Sequence, residues 1–175
     1  MTTTSVKLLR CHAAIAALAL CSATSACGVD STATAPNTNG QFSAIVATSS
    51  QLSLAGAAGL ISLPATGQDS SAVPASALLV LQDKKSTAQL GFEWSGTAMP
   101  SPGTFAVGAT DTDVAMAYQD STGAVFDGIA GSVVVTSVAN GIVSGTFSVT
   151  ATPSDTTGTS ASISGVFKAR TVTQS

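Results

Sequence analysis

The stretch that decides the fold is residues 129–151, with the sequence IAGSVVVTSVANGIVSGTFSVTA. Asn140 and Gly141 lie between two arms rich in Val, Ile, Thr and Phe, and both tolerate the positive φ that a type I′ turn requires. In the second arm apolar residues alternate with Ser and Thr, which is the period of a strand with one buried face. The stretch therefore predicts a β-hairpin at the centre of an antiparallel sheet.

A two-residue turn also predicts the register of this hairpin. Counted outward from the turn, the expected pairs are Ala139 with Ile142, Val138 with Val143, Thr136 with Gly145, and Val134 with Phe147. In this register Val133 and Val135 fall on the hydroxyl face, either under a second layer or exposed to solvent.

The rest of the chain after residue 40 alternates short apolar runs with turns rich in Gly, Ser, Asp and Pro. The runs predict strands at 42–48, 59–63, 77–82, 87–94, 104–107, 111–119, 124–127 and 162–170. The continuous apolar run 77–82 is typical of a strand covered on both faces, with a short helix as the alternative. Lys168 and Arg170 indicate a solvated edge at the last strand. About eight to ten short strands at this spacing predict an all-β domain over residues 41–175, either an antiparallel β-sandwich or a small β-barrel.

The N-terminal segment has the pattern of an export signal. Lys7 and Arg10 precede the apolar run 13–20, AAIAALAL, which is too short to span a bilayer. Residues 24–27, TSAC, resemble a bacterial lipobox with Thr24 in place of the usual Leu. The resemblance implies a signal peptide at 1–26, lipidation of Cys27 (palmitate included) and a flexible tether over 27–40. Since Gly28 rather than Asp follows Cys27, it also implies the outer membrane; the alternative is cleavage nearby and a secreted or periplasmic protein.

Charge excludes one class of partner. Charged residues make up 9% of the chain, against an average of about 25%. The net charge is −3, and removal of Lys7 and Arg10 with the leader takes it to −5. The basic residues that remain are Lys84, Lys85, Lys168 and Arg170. Four dispersed cations do not form a surface for phosphates, so we predict no nucleic-acid partner.

Three segments share a motif: GTFAV at 103–107, GTFSV at 145–149 and GVFKA at 165–169. In each, the Gly leaves room beside a facing side chain and the Phe two residues later fills the same face. Together with the lipobox, this pattern resembles a group of uncharacterised bacterial envelope lipoproteins that have G-T-[FY] strands and a closing I-[ST]-x-G-x-F strand. The resemblance covers residues 102–170 and implies an all-β domain of unknown function, with no catalytic residues to transfer.

Catalytic chemistry has little support in this composition. The single histidine, His12, lies in the leader, so the mature chain has none for a Ser-His-Asp triad or a zinc site. A two-carboxylate hydrolase is a second alternative because Asp and Glu are present, but Glu93 is the only glutamate and acidic residues are sparse. We predict a protein that is not an enzyme and carries no cofactor.

The remaining candidate residues are acidic or aromatic. Asp111, Asp113 and Asp120 could offer oxygen ligands to calcium, or could be ordinary turn aspartates. Trp94 and Tyr118, the only Trp and Tyr, could stack on a sugar or could pack in the core. The sequence predicts a lipid-anchored, non-catalytic envelope protein whose partners are the membrane, through Cys27, and a polysaccharide or envelope protein. A carbohydrate-binding module is the first alternative.

Overall fold

The computed structural model describes residues 35–66, 73–108, 113–155 and 158–173. This part of the chain contains nine β-strands and no helix, which confirms the all-β prediction. The strands are β1 (Gln41–Ala47), β2 (Gln51–Leu63), β3 (Ser76–Asp83), β4 (Gln89–Ser95), β5 (Gly103–Ala106), β6 (Val114–Gln119), β7 (Val125–Ala139), β8 (Ile142–Pro153) and β9 (Ala161–Thr173). Four of them, β2, β7, β8 and β9, have 12 to 15 residues and are longer than predicted.

The strands close into a barrel. Eight strands follow one another in the order β7-β6-β4-β3-β2-β1-β9-β8, and β8 pairs with β7 to complete the ring. Adjacent strands in this ring are antiparallel, and β5 is added on β7. Of the two architectures that the sequence allowed, the barrel is the one observed.

The hairpin turn is confirmed. Asn140 and Gly141 have φ values of 52° and 71°, and Ala139 pairs with Ile142 across them. Beyond Ser144, however, the predicted register is wrong by one residue, because Thr136 is the extra residue of a β-bulge.

The bulge changes which residues of β7 face inward. Val135 pairs with Gly145 and Val133 pairs with Phe147, instead of Thr136 and Val134. Val133 and Val135 are therefore buried in the interior rather than on the hydroxyl face. A second bulge, at Ile129, shifts the register of β7 against β8 by one more residue. The residues before it therefore return to the predicted alternation of inward and outward side chains, and Ile129 itself is exposed.

Two copies of the Gly-x-Phe motif pack against each other across β8 and β9. Gly145 lies opposite Phe167 and Phe147 lies opposite Gly165, so each ring covers the glycine of the other strand. The two rings are stacked with centroids 6.5 Å apart, and Phe92 of β4 contacts Phe147 at 5.0 Å. The predicted role of these two copies in packing is confirmed.

The third copy, on β5, has a different role. Only three residue pairs join β6 to β7, and β5 pairs with the next part of β7 while Val107 bridges to Val114 of β6. Phe105 of β5 is half-buried and contacts the Trp94 ring edge-to-face at 5.9 Å. Strand β5 thus fills the wall where β6 and β7 separate.

The last strand is not an edge, and that prediction is wrong. Strand β9 lies between β1 and β8, so Lys168 and Arg170 face outward from the middle of the wall. The sheet begins at Gly40, whose N–H donates to the Lys168 carbonyl at 2.6 Å. Because the ring is antiparallel, the loops after β1, β3, β6 and β8 share one end of the barrel, which we call the turn end. The opposite end, which we call the terminal end, holds Gly40, and the Asn140-Gly141 hairpin turn also lies there.

Candidate functional site

Trp94 and Tyr118 lie inside the barrel. Each is 2% exposed, and both belong to the main core with Phe92 and Met116. Trp94 pairs with Val114 and Tyr118 pairs with Leu90, so the two rings are at opposite ends of the β4–β6 pair. The alternation of each strand places both rings on the inward face. Neither can stack on a sugar, and the core-packing alternative is the one observed.

The buried environment of Tyr118 changes the pKa of its hydroxyl. Its ring packs on Phe126 with centroids 5.6 Å apart. Burial, with smaller effects from the negative charges of Asp120 and Asp83, raises the pKa of Tyr118 from 10.0 to about 12.

We expect this shift to be visible directly, because Tyr118 is the only tyrosine. The stability that comes from the neutral phenol is fully present below pH 10 and is lost as the pH rises from 10 towards about 12. A near-ultraviolet absorbance titration of the folded protein should give a midpoint near the upper value. The same titration in denaturant is the control and should return to the ordinary range. A folded-state midpoint near the ordinary value would contradict the buried position.

The aspartate candidates for calcium do not come together. Asp113 precedes β6 and Asp120 follows it, so the length of the strand separates them. The Asp113 carboxylate accepts from the Ala106 N–H at 3.2 Å, and Asp111 lies outside the described residues. Within the described ranges, no group of three or more His, Cys, Asp or Glu side chains is arranged to hold a metal ion.

Asp120 organises the turn between β6 and β7. One carboxylate oxygen accepts from the Thr122 N–H at 2.8 Å, the Thr122 hydroxyl at 2.6 Å and the Ala124 N–H at 3.0 Å. Partial burial works to raise the pKa of Asp120, but the hydrogen bonds from Thr122, Ala124 and Gly123 together lower it below 3.8.

We expect Asp120→Ala to lower the free energy of unfolding by about 1 kcal/mol at neutral pH, as for the loss of a helix cap of similar geometry. Because the folded-state pKa is lowered, this contribution is present above pH 3.8 and disappears as the pH falls through the lowered value. Urea unfolding of both proteins across acid pH measures the difference. Asp113→Ala, which removes an acceptor of a single backbone donor, is the control with a smaller expected effect. A constant difference at all pH values would contradict this role of the ionised carboxylate.

One acidic residue that the sequence did not single out is Asp83, at the end of β3. It is 6% exposed and accepts from the Ala55 N–H at 3.1 Å, the Lys85 N–H at 3.1 Å and the Ser86 hydroxyl at 2.7 Å. The available signal was the turn sequence Asp-Lys-Lys-Ser, in which an Asp commonly bonds the following backbone. The carboxylates at the turn end therefore hold loops in place.

The outer surface of the barrel has two different halves. On β8 and β9 five of the outward side chains are exposed hydroxyls: Thr146, Ser148, Thr150, Ser162 and Ser164. On β2, β3, β4 and β6 a group of neighbouring outward residues is mostly apolar or small and includes two polar side chains: Ile61, Leu63, Leu78, Val80, Gly91, Ala115, Ala117, Gln89 and Glu93. We call the first set the hydroxyl wall and the second the outer apolar face. The run 77–82 predicted its central part, and the burial of β3 on both faces is confirmed.

The predicted lipidation site, Cys27, and the signal-peptide residues lie outside the described residues. In the part of the chain that the structure describes, no helix has the length and hydropathy to cross a bilayer. Comparisons with protein-family models, with curated proteins and with solved structures find no match to this chain. The resemblance to envelope lipoproteins and the functions that it implies therefore stay predictions.

Proposed function

We propose that the chain is an exported envelope lipoprotein, anchored through Cys27, whose barrel domain has a non-catalytic binding or structural role. The observation that carries this proposal is the short distance in sequence between the lipobox-like segment and the first strand of the barrel. Cys27 precedes Gly40, the first residue held by the sheet, by only a short polar segment.

The topology supports this arrangement. Gly40 lies at the terminal end of the barrel, so an anchor upstream of it leaves the turn end directed away from the membrane. The five residues of the hydroxyl wall face outward on β8 and β9, and Lys168 and Arg170 follow them on β9. Such a surface suits contact with polysaccharide or an envelope protein through hydrogen bonds.

The non-catalytic part rests on how the polar groups are used. Asp83, Asp113 and Asp120 each accept hydrogen bonds from nearby backbone N–H groups, and these contacts hold loops. Trp94 and Tyr118, which would serve a carbohydrate-binding module, are packed in the core. The proposal therefore assigns recognition to the outer surface rather than to these aromatic rings.

We expect Cys27→Ser to move the protein from the membrane fraction to the soluble fraction of the producing cells, and to abolish labelling with a palmitate analogue. Cys21→Ser, which changes a leader cysteine outside the lipobox, is the matched control and should leave both readouts unchanged. A Cys27→Ser protein that stays membrane-bound, or a wild-type protein that takes no label, would contradict lipid anchoring.

A further inference from the structure

Strand β7 carries the same sequence motif on both of its edges. On one edge, β8 pairs its residues GTFS at 145–148 with residues 132–135 of β7, and on the other edge β5 pairs its residues GTFA at 103–106 with the same segment. The Gly lies opposite Val135 and the Phe lies opposite Val133 in both pairings. Segment 132–135 of β7 therefore accepts a Gly-Thr-Phe strand in one register, whichever edge the strand joins.

The two copies of the motif are not held equally firmly. The copy on β8 has β9 on its other edge, and its Phe147 is 3% exposed and contacts the rings of Phe92 and Phe167. Strand β5 has only four residues, lies at the end of the sheet, and is exposed apart from the half-buried Phe105. Among the described strands, β5 is thus the one that is paired along a single edge.

Removal of β5 from this place leaves the ring closed but exposes part of its interior. The pairs that close the ring join β6 to β7 and β7 to β8, and β5 takes no part in them. Phe105 of β5, however, contacts the Trp94 ring at 5.9 Å, and Trp94 is 2% exposed. Without β5, buried apolar surface would come into contact with water, so replacement of β5 by an equivalent strand is favoured.

We propose that residues 132–135 of β7 form an acceptor edge for a strand of this motif, and that β5 of a second copy of this chain occupies it in place of the chain's own β5. The copies of the motif on β8 and β9 lie within the wall and are paired along both edges. Of the three copies that the structure describes, β5 is therefore the one that can exchange. Exchange of an identical element between two protomers forms the same contacts again, and for this reason it is a low-cost route to a dimer.

Such a dimer is symmetric, because each copy gives its β5 and receives the β5 of the other. Seven residues connect β4 to β5 and seven connect β5 to β6. A connection of this length spans up to about 25 Å when extended, so β5 can cross to an adjacent barrel while β4 and β6 keep their places. The exchange adds self-association to the proposed function and does not depend on lipid anchoring.

The test mixes two full-length chains that each contain a single cysteine. The natural cysteines are first replaced by Ser in both chains: Cys11, Cys21 and Cys27. One chain then carries Thr104→Cys and the other carries Val134→Cys, at positions that lie directly opposite each other when β5 pairs with β7. Neither chain can form this disulfide alone, so a 104–134 disulfide reports β5 of one copy on β7 of the other. Ser148→Cys mixed with Ser164→Cys is the matched control, because these positions are also opposite each other but belong to strands that are paired along both edges.

After incubation at high protein concentration and mild oxidation, we expect the 104–134 disulfide to exceed the 104–104 and the 134–134 products at least tenfold each. The control mixture should give its three products in random proportion. Non-reducing peptide mapping measures these products.

Random proportion in both mixtures would overturn the exchange. An excess of the 104–104 product would overturn it in favour of side-by-side pairing of two β5 strands, and an excess of the mixed product in both mixtures would overturn it in favour of general unfolding. If a variant of the first pair does not fold, Ala106→Cys mixed with Ser132→Cys, another opposite pair of β5 and β7, repeats the test. None of these chains contains Cys27, so a failure here is distinct from a failure of lipid anchoring.

Discussion

Replacing Val133 and Val135 together by Ser should abolish the cooperative fold of the barrel. Both side chains face the interior, at 0% and 2% exposure, because the bulge at Thr136 pairs Val135 with Gly145 and Val133 with Phe147. The substitutions would replace buried apolar surface with buried hydroxyl groups. The loss of two buried valines costs about 3–6 kcal/mol, which is comparable with the whole stability of a typical domain, about 5–15 kcal/mol.

The control is Thr136→Ala, at an exposed position of the same strand. It removes only the hydrogen bond from the Thr136 hydroxyl to the Ser144 carbonyl at 3.0 Å and should cost about 1 kcal/mol. Far-ultraviolet circular dichroism during urea unfolding measures both variants. If the double variant unfolds with the same midpoint as Thr136→Ala, then Val133 and Val135 do not contribute to the stability of the core.

The second large effect is expected for Gly165→Ala, which should lower the free energy of unfolding by about 3 kcal/mol or more. A Cβ at this position would lie 2.5 Å from Cζ of Phe147, 2.5 Å from the Ser43 carbonyl oxygen and 2.9 Å from Cβ of Ala44. The ring and two neighbouring strands would have to move together, and the interior is closely packed around them. Urea unfolding gives the magnitude.

Gly59→Ala is the matched control, since it is the same substitution in the interior of another strand. A Cβ at Gly59 has no neighbour within 4 Å. Reduced freedom of the unfolded chain should make that variant neutral or more stable by up to about 1 kcal/mol. Equal losses in both variants would mean that strand propensity, and not the packing of Phe147 on Gly165, explains the effect.

Local signals predicted the local features of this fold. Asn140 and Gly141 suffice for the turn because they need no distant partner, and the first pairs beyond them follow. The bulge at Thr136 could not be predicted, since it is stabilised by the burial of Val133 and Val135 against strands far away in the sequence. Closure of the ring has the same origin, because it depends on the pairing of β1 with β9 and of β7 with β8.

The candidate residues show a related limit. Alternation correctly placed Trp94 and Tyr118 on the apolar faces of their strands, but it could not tell a barrel interior from an open groove. Asp113 and Asp120 are near in sequence, yet an extended strand between them carries them to opposite ends of the wall. Asp83 acts through a backbone group 28 residues away, that of Ala55, and no spacing in the sequence encodes that contact.

The three residue pairs between β6 and β7 give this barrel a preferred site of partial opening. Twelve residue pairs join β7 to β8, and ten join β8 to β9. Separation of β6 from β7 therefore breaks far fewer backbone hydrogen bonds than separation of β7 from β8 or of β8 from β9. Regions with few buried contacts and few shared hydrogen bonds open below the global free energy of unfolding. Backbone amides at this junction should thus exchange with solvent through a fluctuation that leaves β8 and β9 intact, and solvent should reach the Tyr118 hydroxyl by the same route.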